Sequence, residues 1–334
     1  MKKSFKFLIR HWKAIVGIIF LLGCSGCITT AVVIHKKLKN ADYLEDWKAS
    51  DGTIITDIVY DEQKDLKYDL YMPNTTSDTP VGAMLFIHGG AWKMGKKSDM
   101  SFACKRFAKE GYVTATIQYS LVTKENNVTF FDMLDDIGKC LEHMKMTAAE
   151  KHHPVKAVAL SGISAGGHLA MLYAYSRADR SPIPIAFVCQ QVGPSCFEKG
   201  MWTNHPEWDY VLAMAGSGYG MTQEAYENGS MAKVVELISP ALKIDEHSVP
   251  TIAAYGGKDG LVPFTHAEKL REALETHHVP HVFIVYPNSG HFLCDDPDCA
   301  KQYRKAILEY CRKYFDSETL CIIGKIGERQ IFLQ

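Results

Sequence analysis

The 334-residue sequence is poor in the features that mark specialised classes of protein. It has no internal repeat and no low-complexity tract, which excludes solenoids, propellers and fibrous arrays. Ten cysteines are too few for a disulfide-knotted miniprotein, and 25 glycines with 13 prolines are too few for a collagen-like chain. From residue 41 onward no CxxC pair with zinc-ligand spacing occurs, so the thiols there read as scattered buried side chains. The first forty residues contain no acidic side chain and eight basic ones. Subtracting those eight from the 37 Lys and Arg leaves 29 against 38 Asp and Glu, a net charge of −9 for the rest. A body that acidic repels phosphate backbones, so no nucleic-acid partner is expected. What is present, 47% hydrophobic and 22% charged residues, is the composition of an ordinary globular protein.

Residues 14–34 form an uncharged run of 21, long enough to cross a bilayer of roughly 30 Å as a helix. Five basic residues precede it and Lys36, Lys37 and Lys39 follow. The heavier charge on the N-terminal side favours a cytoplasmic N-terminus, with the rest of the chain delivered across the membrane. The expectation is an N-terminal transmembrane helix within residues 1–40, holding the body on the extracytoplasmic side. An alternative is a lipoprotein signal, because Leu21-Leu22-Gly23-Cys24 resembles a lipoprotein cleavage box that would leave the lipid on Cys24.

The body, residues 50–316, alternates short β-rich runs with amphipathic ones. Strands are expected at 53–60, 66–71, 81–87, 112–118, 155–160, 185–191, 251–255 and 281–286. Helices are expected at 98–109 (capped by Ser98), 130–147, 165–177, 265–278 and 299–315. The first two strands read as an antiparallel edge pair, and the rest as buried parallel strands covered by helices on both faces. Residues 195–239 break the rhythm and are too long for a plain connection, so a cap or lid insertion is expected there. The tail, 317–334, carries no pattern.

The chemistry-bearing residues fall at strand ends. Gly162-Ile163-Ser164-Ala165-Gly166 matches GxSxG, preceded by an apolar strand and followed by a helix. Such a serine sits on a tight turn, where only glycine fits at the flanking positions and the hydroxyl meets the positive end of a helix. His88-Gly89-Gly90-Ala91-Trp92 follows the central strand, and its glycines let backbone N–H groups face a developing oxyanion, with the Ala165 N–H as partner donor. His88 itself is expected to brace the loop.

Asp259 and His291 each follow a strand and so lie on the same rim as Ser164. The imidazole would take the serine proton while the carboxylate fixes its tautomer. Among rivals, His168 is expected to pack or hydrogen-bond beside the elbow. Asp295, Asp296 and Asp298 read as a solvated helix start, and Asp132, Asp135 and Asp136 as surface or packing residues. A metal at Cys294, Asp295, Asp298 and Cys299 is set aside, so no metal is expected.

With these motifs in place, residues 54 to 315 resemble the α/β-hydrolase superfamily. HGGAW, GISAGG, YGGKDGLVP and NSGHF are similar to the loops of hormone-sensitive-lipase-like carboxylesterases, and the HGGxW type is shared by kynurenine formamidases and the BD-FAE esterases. The resemblance implies an α/β-hydrolase fold and a cofactor-free serine hydrolase working through an acyl-enzyme. It implies Ser164, Asp259 and His291 as triad, Gly90, Ala91 and Ala165 as oxyanion donors, and Gly89 for the shape of the loop. Ala91 stands where lipase-like members have glycine. Trp92 behind it would narrow the acyl pocket, and Trp202 and Trp208 in the insertion are candidate substrate contacts or, equally, buried packing of the lid. Three functions follow: an esterase for small acyl esters, such as acetylated or feruloylated saccharides; an amide or formamide hydrolase; and an inactive membrane-tethered binding module.

Overall fold

The computed structural model describes residues 27–76, 79–123, 125–206, 208 and 222–315. The strands are β1 (Gly52–Asp61), β2 (Leu66–Pro73), β3 (Val81–Ile87), β4 (Val113–Ile117), β5 (Val155–Ile163), β6 (Ile185–Gln191), β7 (Thr251–Gly256) and β8 (His281–Tyr286). The helices are α1 (Cys27–Asn40), α2 (Ser101–Lys109), α3 (Phe130–Glu150), α4 (Ala165–Ser176), α5 (Gln223–Glu227), α6 (Ala232–Ile238), α7 (Thr265–Thr276) and α8 (Pro297–Phe315). One sheet runs in the order β1-β2-β4-β3-β5-β6-β7-β8. The β1/β2 and β2/β4 pairs are antiparallel, and every later pairing is parallel.

The parallel strands are apolar on both faces because both faces are covered. Successive side chains of β3 go to opposite cores. Ala83, Leu85 and Ile87 pack with α3, α4 and α7, whereas Met84 and Phe86 pack with α2 and α8. Strand order doubles back between β4 and β3, so consecutive crossovers open a crevice at the strands' carboxyl ends.

Two details depart from expectation. Ser98 does not cap α2: a 3₁₀ turn over Lys97–Met100 precedes the helix, and it is the Asp99 carboxylate that accepts the Lys96 N–H at 3.0 Å. Of the insertion 195–239, Ser195, Cys196, Phe197 and Trp202 are buried as core rather than standing off as a cap. Apolar and aromatic side chains outweigh the irregular pattern there. The remainder includes α5 and α6, and residues 207 and 209–221 lie outside the described residues. The expected membrane span falls mostly outside them too, as does the tail. Among the described residues no helix is long and apolar enough to cross a membrane.

Between α1 and β1 the chain is fastened to the body by Arg106 of α2. Its Nη1 donates to the Asp42 carbonyl (2.6 Å) and meets the Asp42 carboxylate (2.9 Å). Its Nη2 donates to the Leu44 carbonyl (3.0 Å), and its Nε to Glu45 (3.1 Å). Arg106 is 8% exposed, and its removal strands several half-buried acceptors at once. Arg106→Ala should lower the unfolding free energy by about 3 kcal/mol in urea melts, and Arg106→Lys, which keeps charge without the planar fork, should fall between.

Candidate active site

Ser164 joins β5 to α4 with φ 56° and ψ −122°, a left-handed backbone that costs an L-residue roughly 1–3 kcal/mol. Neighbours hold it there. The Ser164 N–H donates to the Gln191 carbonyl at 2.8 Å, and the Ser164 carbonyl accepts the His168 N–H at 2.9 Å. A Cβ at Gly162 would lie 2.2 Å from the Gly166 carbonyl oxygen, and one at Gly166 would lie 2.1 Å from that of Ile87. The turn exists only because both positions lack a side chain.

Asp259, after β7, is 6% exposed and uses both carboxylate oxygens. Oδ1 accepts the N–H groups of Leu261 (2.8 Å) and Val262 (2.9 Å), while Oδ2 lies 2.8 Å from His291 Nδ1. His291 Nε2 lies 2.9 Å from Ser164 Oγ. A carboxylate can only accept, so the imidazole proton sits on Nδ1 and the bare Nε2 accepts from the serine hydroxyl. The three side chains named from sequence therefore meet in one relay.

The loop after β3 lies against the elbow. A Cβ on Gly89 would come within 2.9 Å of the Ile163 carbonyl oxygen and 3.3 Å of Ser164 Cβ, so Gly89 provides clearance. Gly90, Ala91 and Trp92 all have positive φ (120°, 49° and 59°). Among the described residues the backbone N–H groups of Gly90, Ala91 and Ala165 take no hydrogen-bond partner, leaving three donors beside the serine. His88 braces this loop as expected. Fully buried and stacked on Tyr119 (4.3 Å), it donates from Nδ1 to the Gly89 carbonyl at 2.8 Å. Its bare Nε2 then faces Gln118 Nε2 at 3.3 Å. Burial lowers its pKa, keeping the ring neutral.

The expected aromatic contacts are redistributed. Trp92 is 3% exposed and packs on Phe130, His168 and Phe197, forming a wall under the loop. Trp202 is 1% exposed, edge-on to His266, with Nε1 donating to the Leu261 carbonyl at 3.0 Å. It is a correction to the expectation of a substrate contact: no face is free, and the residue props the Asp259 loop. Trp208 is half-buried and stacked on His205 at 4.3 Å. His168 donates from Nε2 to the Ile238 carbonyl at 2.8 Å, tying α4 to the end of α6, with burial pushing its pKa down to about 4. Among the described residues no group of three His, Cys, Asp or Glu side chains is arranged to hold a metal.

This geometry agrees with what the chain is similar to. The BD-FAE family's sequence model matches residues 68–274, well over half of the chain. The chain belongs to the BD-FAE family. It is an α/β-hydrolase of the esterase kind. The matched stretch holds Ser164 and Asp259 and ends before His291. A kynurenine formamidase of Salmo salar is 23% identical over 241 residues, covering 71% of this chain and 74% of the relative. A probable isoprenylcysteine alpha-carbonyl methylesterase of Oryza sativa subsp. japonica is 32% identical over 114 residues, 34% of this chain and 26% of that one. In fold, the BD-FAE chain is similar to a truncated carbohydrate esterase from gut microbiota (TM-score 0.65, 18% identity, 81% and 99% of the two chains). It is also similar to esterase B of Lactobacillus rhamnosis (TM-score 0.63, 17% identity, 90% and 96%).

One positioning residue escaped the sequence. Asp296, expected as part of a solvated helix start with Asp295 and Asp298, is 8% exposed and clamps the loop that carries His291. Its Oδ2 accepts the Asn288 N–H (3.0 Å) and the Ser289 hydroxyl (2.7 Å), and its Oδ1 accepts from Asn288 Nδ2 (2.9 Å). Burial alone would raise this carboxyl's pKa, but those donors hold it below the ordinary 3.8. A lowered carboxylate pKa stabilises the fold above the ordinary value and loses that contribution as pH falls through the folded one. Asp296→Asn should therefore cost about 1–3 kcal/mol at pH 7, with faster amide exchange confined to residues 288–296. The stability gap to wild type should stay constant above about pH 4 and shrink below it.

Proposed function

We propose that this BD-FAE-family protein hydrolyses small acyl esters through an acyl-enzyme on Ser164. The observation that carries the reading is the continuous relay from Asp259 Oδ2 through the His291 ring to Ser164 Oγ, at 2.8 and 2.9 Å. As Oγ attacks the acyl carbonyl, Nε2 takes the hydroxyl proton, and Asp259 stabilises the imidazolium. The tetrahedral oxyanion lies against the Gly90, Ala91 and Ala165 N–H groups. Collapse breaks the ester bond, and the departing alcohol takes the proton from Nε2. Water, deprotonated by the same nitrogen, then attacks the acyl-serine and releases the acid.

The Trp92 wall, packed on Phe130 and Phe197, favours short acyl groups. Acetylated or feruloylated saccharides are the preferred class, supported by likeness to a carbohydrate esterase and by the half-buried face of Trp208. A second reading is formamide hydrolysis, favoured by the similarity to a kynurenine formamidase over most of both chains. The uncharged run 14–34 and its basic flanks support anchoring at a membrane with the body outside, or a lipid on Cys24.

A fluorophosphonate probe should label Ser164 in wild type and nothing in Ser164→Ala. An unlabelled wild type would make the protein a binding module. Asp259→Asn should keep labelling weakly and reduce kcat by roughly 10³–10⁴. A panel of acetyl through octanoyl esters, feruloyl and acetyl saccharides and an aryl formamide separates the two readings. The ester reading expects short acyl esters to lead. A higher kcat/KM on the formamide would reverse the assignment, and preference for the octanoyl ester would remove the role given to Trp92.

A further inference from the structure

Seven large apolar side chains are exposed among the described residues, and three of them sit on the rim of the candidate site, one on each of its loops. Met94 (63% exposed) folds back beneath Gly90, its N–H donating to the Gly90 carbonyl at 3.0 Å. Leu261 (44%) lies two residues after Asp259 and gives its N–H to that carboxylate. Phe292 (46%) adjoins His291, with ring centroids 5.9 Å apart. Grouped around one site, these three tips form an apolar rim of the kind that marks an interaction surface.

The surrounding charge has one dominant sign. Lys93 and Lys96 flank Met94, and Lys258 precedes Asp259; all three are exposed and make no ion pair among the described residues. Lys36 and Lys39 on α1 are exposed and unpaired in the same sense. The nearby acids are partly spent. Asp295 meets Lys37 at 3.5 Å and Asp298 meets Lys301 at 2.8 Å, whereas Asp99 keeps its charge while accepting the Lys96 N–H. Apolar tips interleaved with lysine heads are the pattern of a surface that lies on anionic lipid.

The N-terminal segment fixes the direction. The Lys37–Asp295 contact places α1 against the loop that carries His291. The uncharged run ends at Ile34, three residues earlier, which is about 4.5 Å of helix. Val33, at the end of that run, is 53% exposed. Ile34 itself is buried at 5% exposure, so a run that enters a bilayer ahead of it brings the lipid surface near the loop that carries His291.

We propose that the mouth of the site docks on an anionic bilayer through Met94, Leu261 and Phe292, with Lys93, Lys96 and Lys258 on the lipid head groups, so that substrate enters from the membrane surface. The inference rests on the site and the anchoring given above, and its test does not need catalysis. Full-length Phe292→Trp is reconstituted in vesicles of phosphatidylcholine with phosphatidylglycerol, their acyl chains brominated or not. Emission added by the new tryptophan should be quenched by roughly half in brominated vesicles. Met146→Trp, at an exposed position on α3, provides the control and should show no added quenching. Equal quenching at both positions, or none at 292, overturns the proposal. Replacing phosphatidylglycerol by phosphatidylcholine, or combining Lys93→Gln, Lys96→Gln and Lys258→Gln, should weaken the quenching, and more so at low salt.

In parallel, Met94→Ser/Leu261→Ser/Phe292→Ser should lower the ratio of activity on a vesicle-borne acetyl ester to activity on a soluble one by about tenfold. Equal losses on both substrates, at an unchanged melting temperature, would make the rim part of the pocket and sink the docking surface. A wild type inactive on both esters yet quenched at position 292 would instead sink the esterase reading and leave the docking intact.

Discussion

The left-handed backbone of Ser164 is the constraint from which the rest of the site follows. A serine at φ 56° cannot hold itself there, so the surrounding chain must. Gly162 and Gly166 let β5, α4 and the end of β3 approach at distances no side chain allows. The Gln191 carbonyl closes the remaining backbone donor. That crowding points the hydroxyl out of the turn toward the His291 ring, and brings the loop of Gly89 to Gly90 within van der Waals reach of the nucleophile. Strain at one residue is thus offset by packing across three strands.

The imidazole is positioned with comparable care but by different means. Its own loop carries one left-handed residue, Leu293 at φ 52°, and is tied by polar contacts to its base. Asp296 gathers Asn288 and Ser289, and the Ser289 carbonyl accepts the Lys258 N–H from the neighbouring acid loop at 3.0 Å. Trp202 holds the far side of that acid loop through the Leu261 carbonyl. Acid and base therefore move as one unit, and a relay of two hydrogen bonds needs that rigidity to keep its geometry.

Much of this was legible before any coordinates. The eight strands and the main helices follow from the alternation of apolar runs with amphipathic ones, because a sheet covered on both faces must be apolar on both faces. Ser164, Asp259 and His291 were identifiable because each follows such a run, and strand ends share a rim. What escaped was contact information. Two adjacent aspartates, Asp295 and Asp296, look alike in sequence, yet one is half-exposed and paired with Lys37 while the other is buried under Ser289. Trp202 reads equally as a substrate contact or as lid packing, and only its partners decide: Phe197, His266 of α7 and the Leu261 carbonyl of the acid loop, the last two far away along the chain. The 3₁₀ turn before α2 moved the helix start past Ser98 to Met100, which caps nothing with its side chain, while Asp99 closes the turn on Lys96.

The fastening of residues 42–45 to Arg106 removes the slack that would ordinarily separate a globular head from whatever holds its leading end. If that end were held, a loose tether would let the head sweep a hemisphere and meet targets at many heights and angles, whereas this splice would make the head inherit the tilt of α1. Reach would then be given up for a constant bearing, with encounters governed by lateral travel of the whole assembly rather than by the swing of a leash.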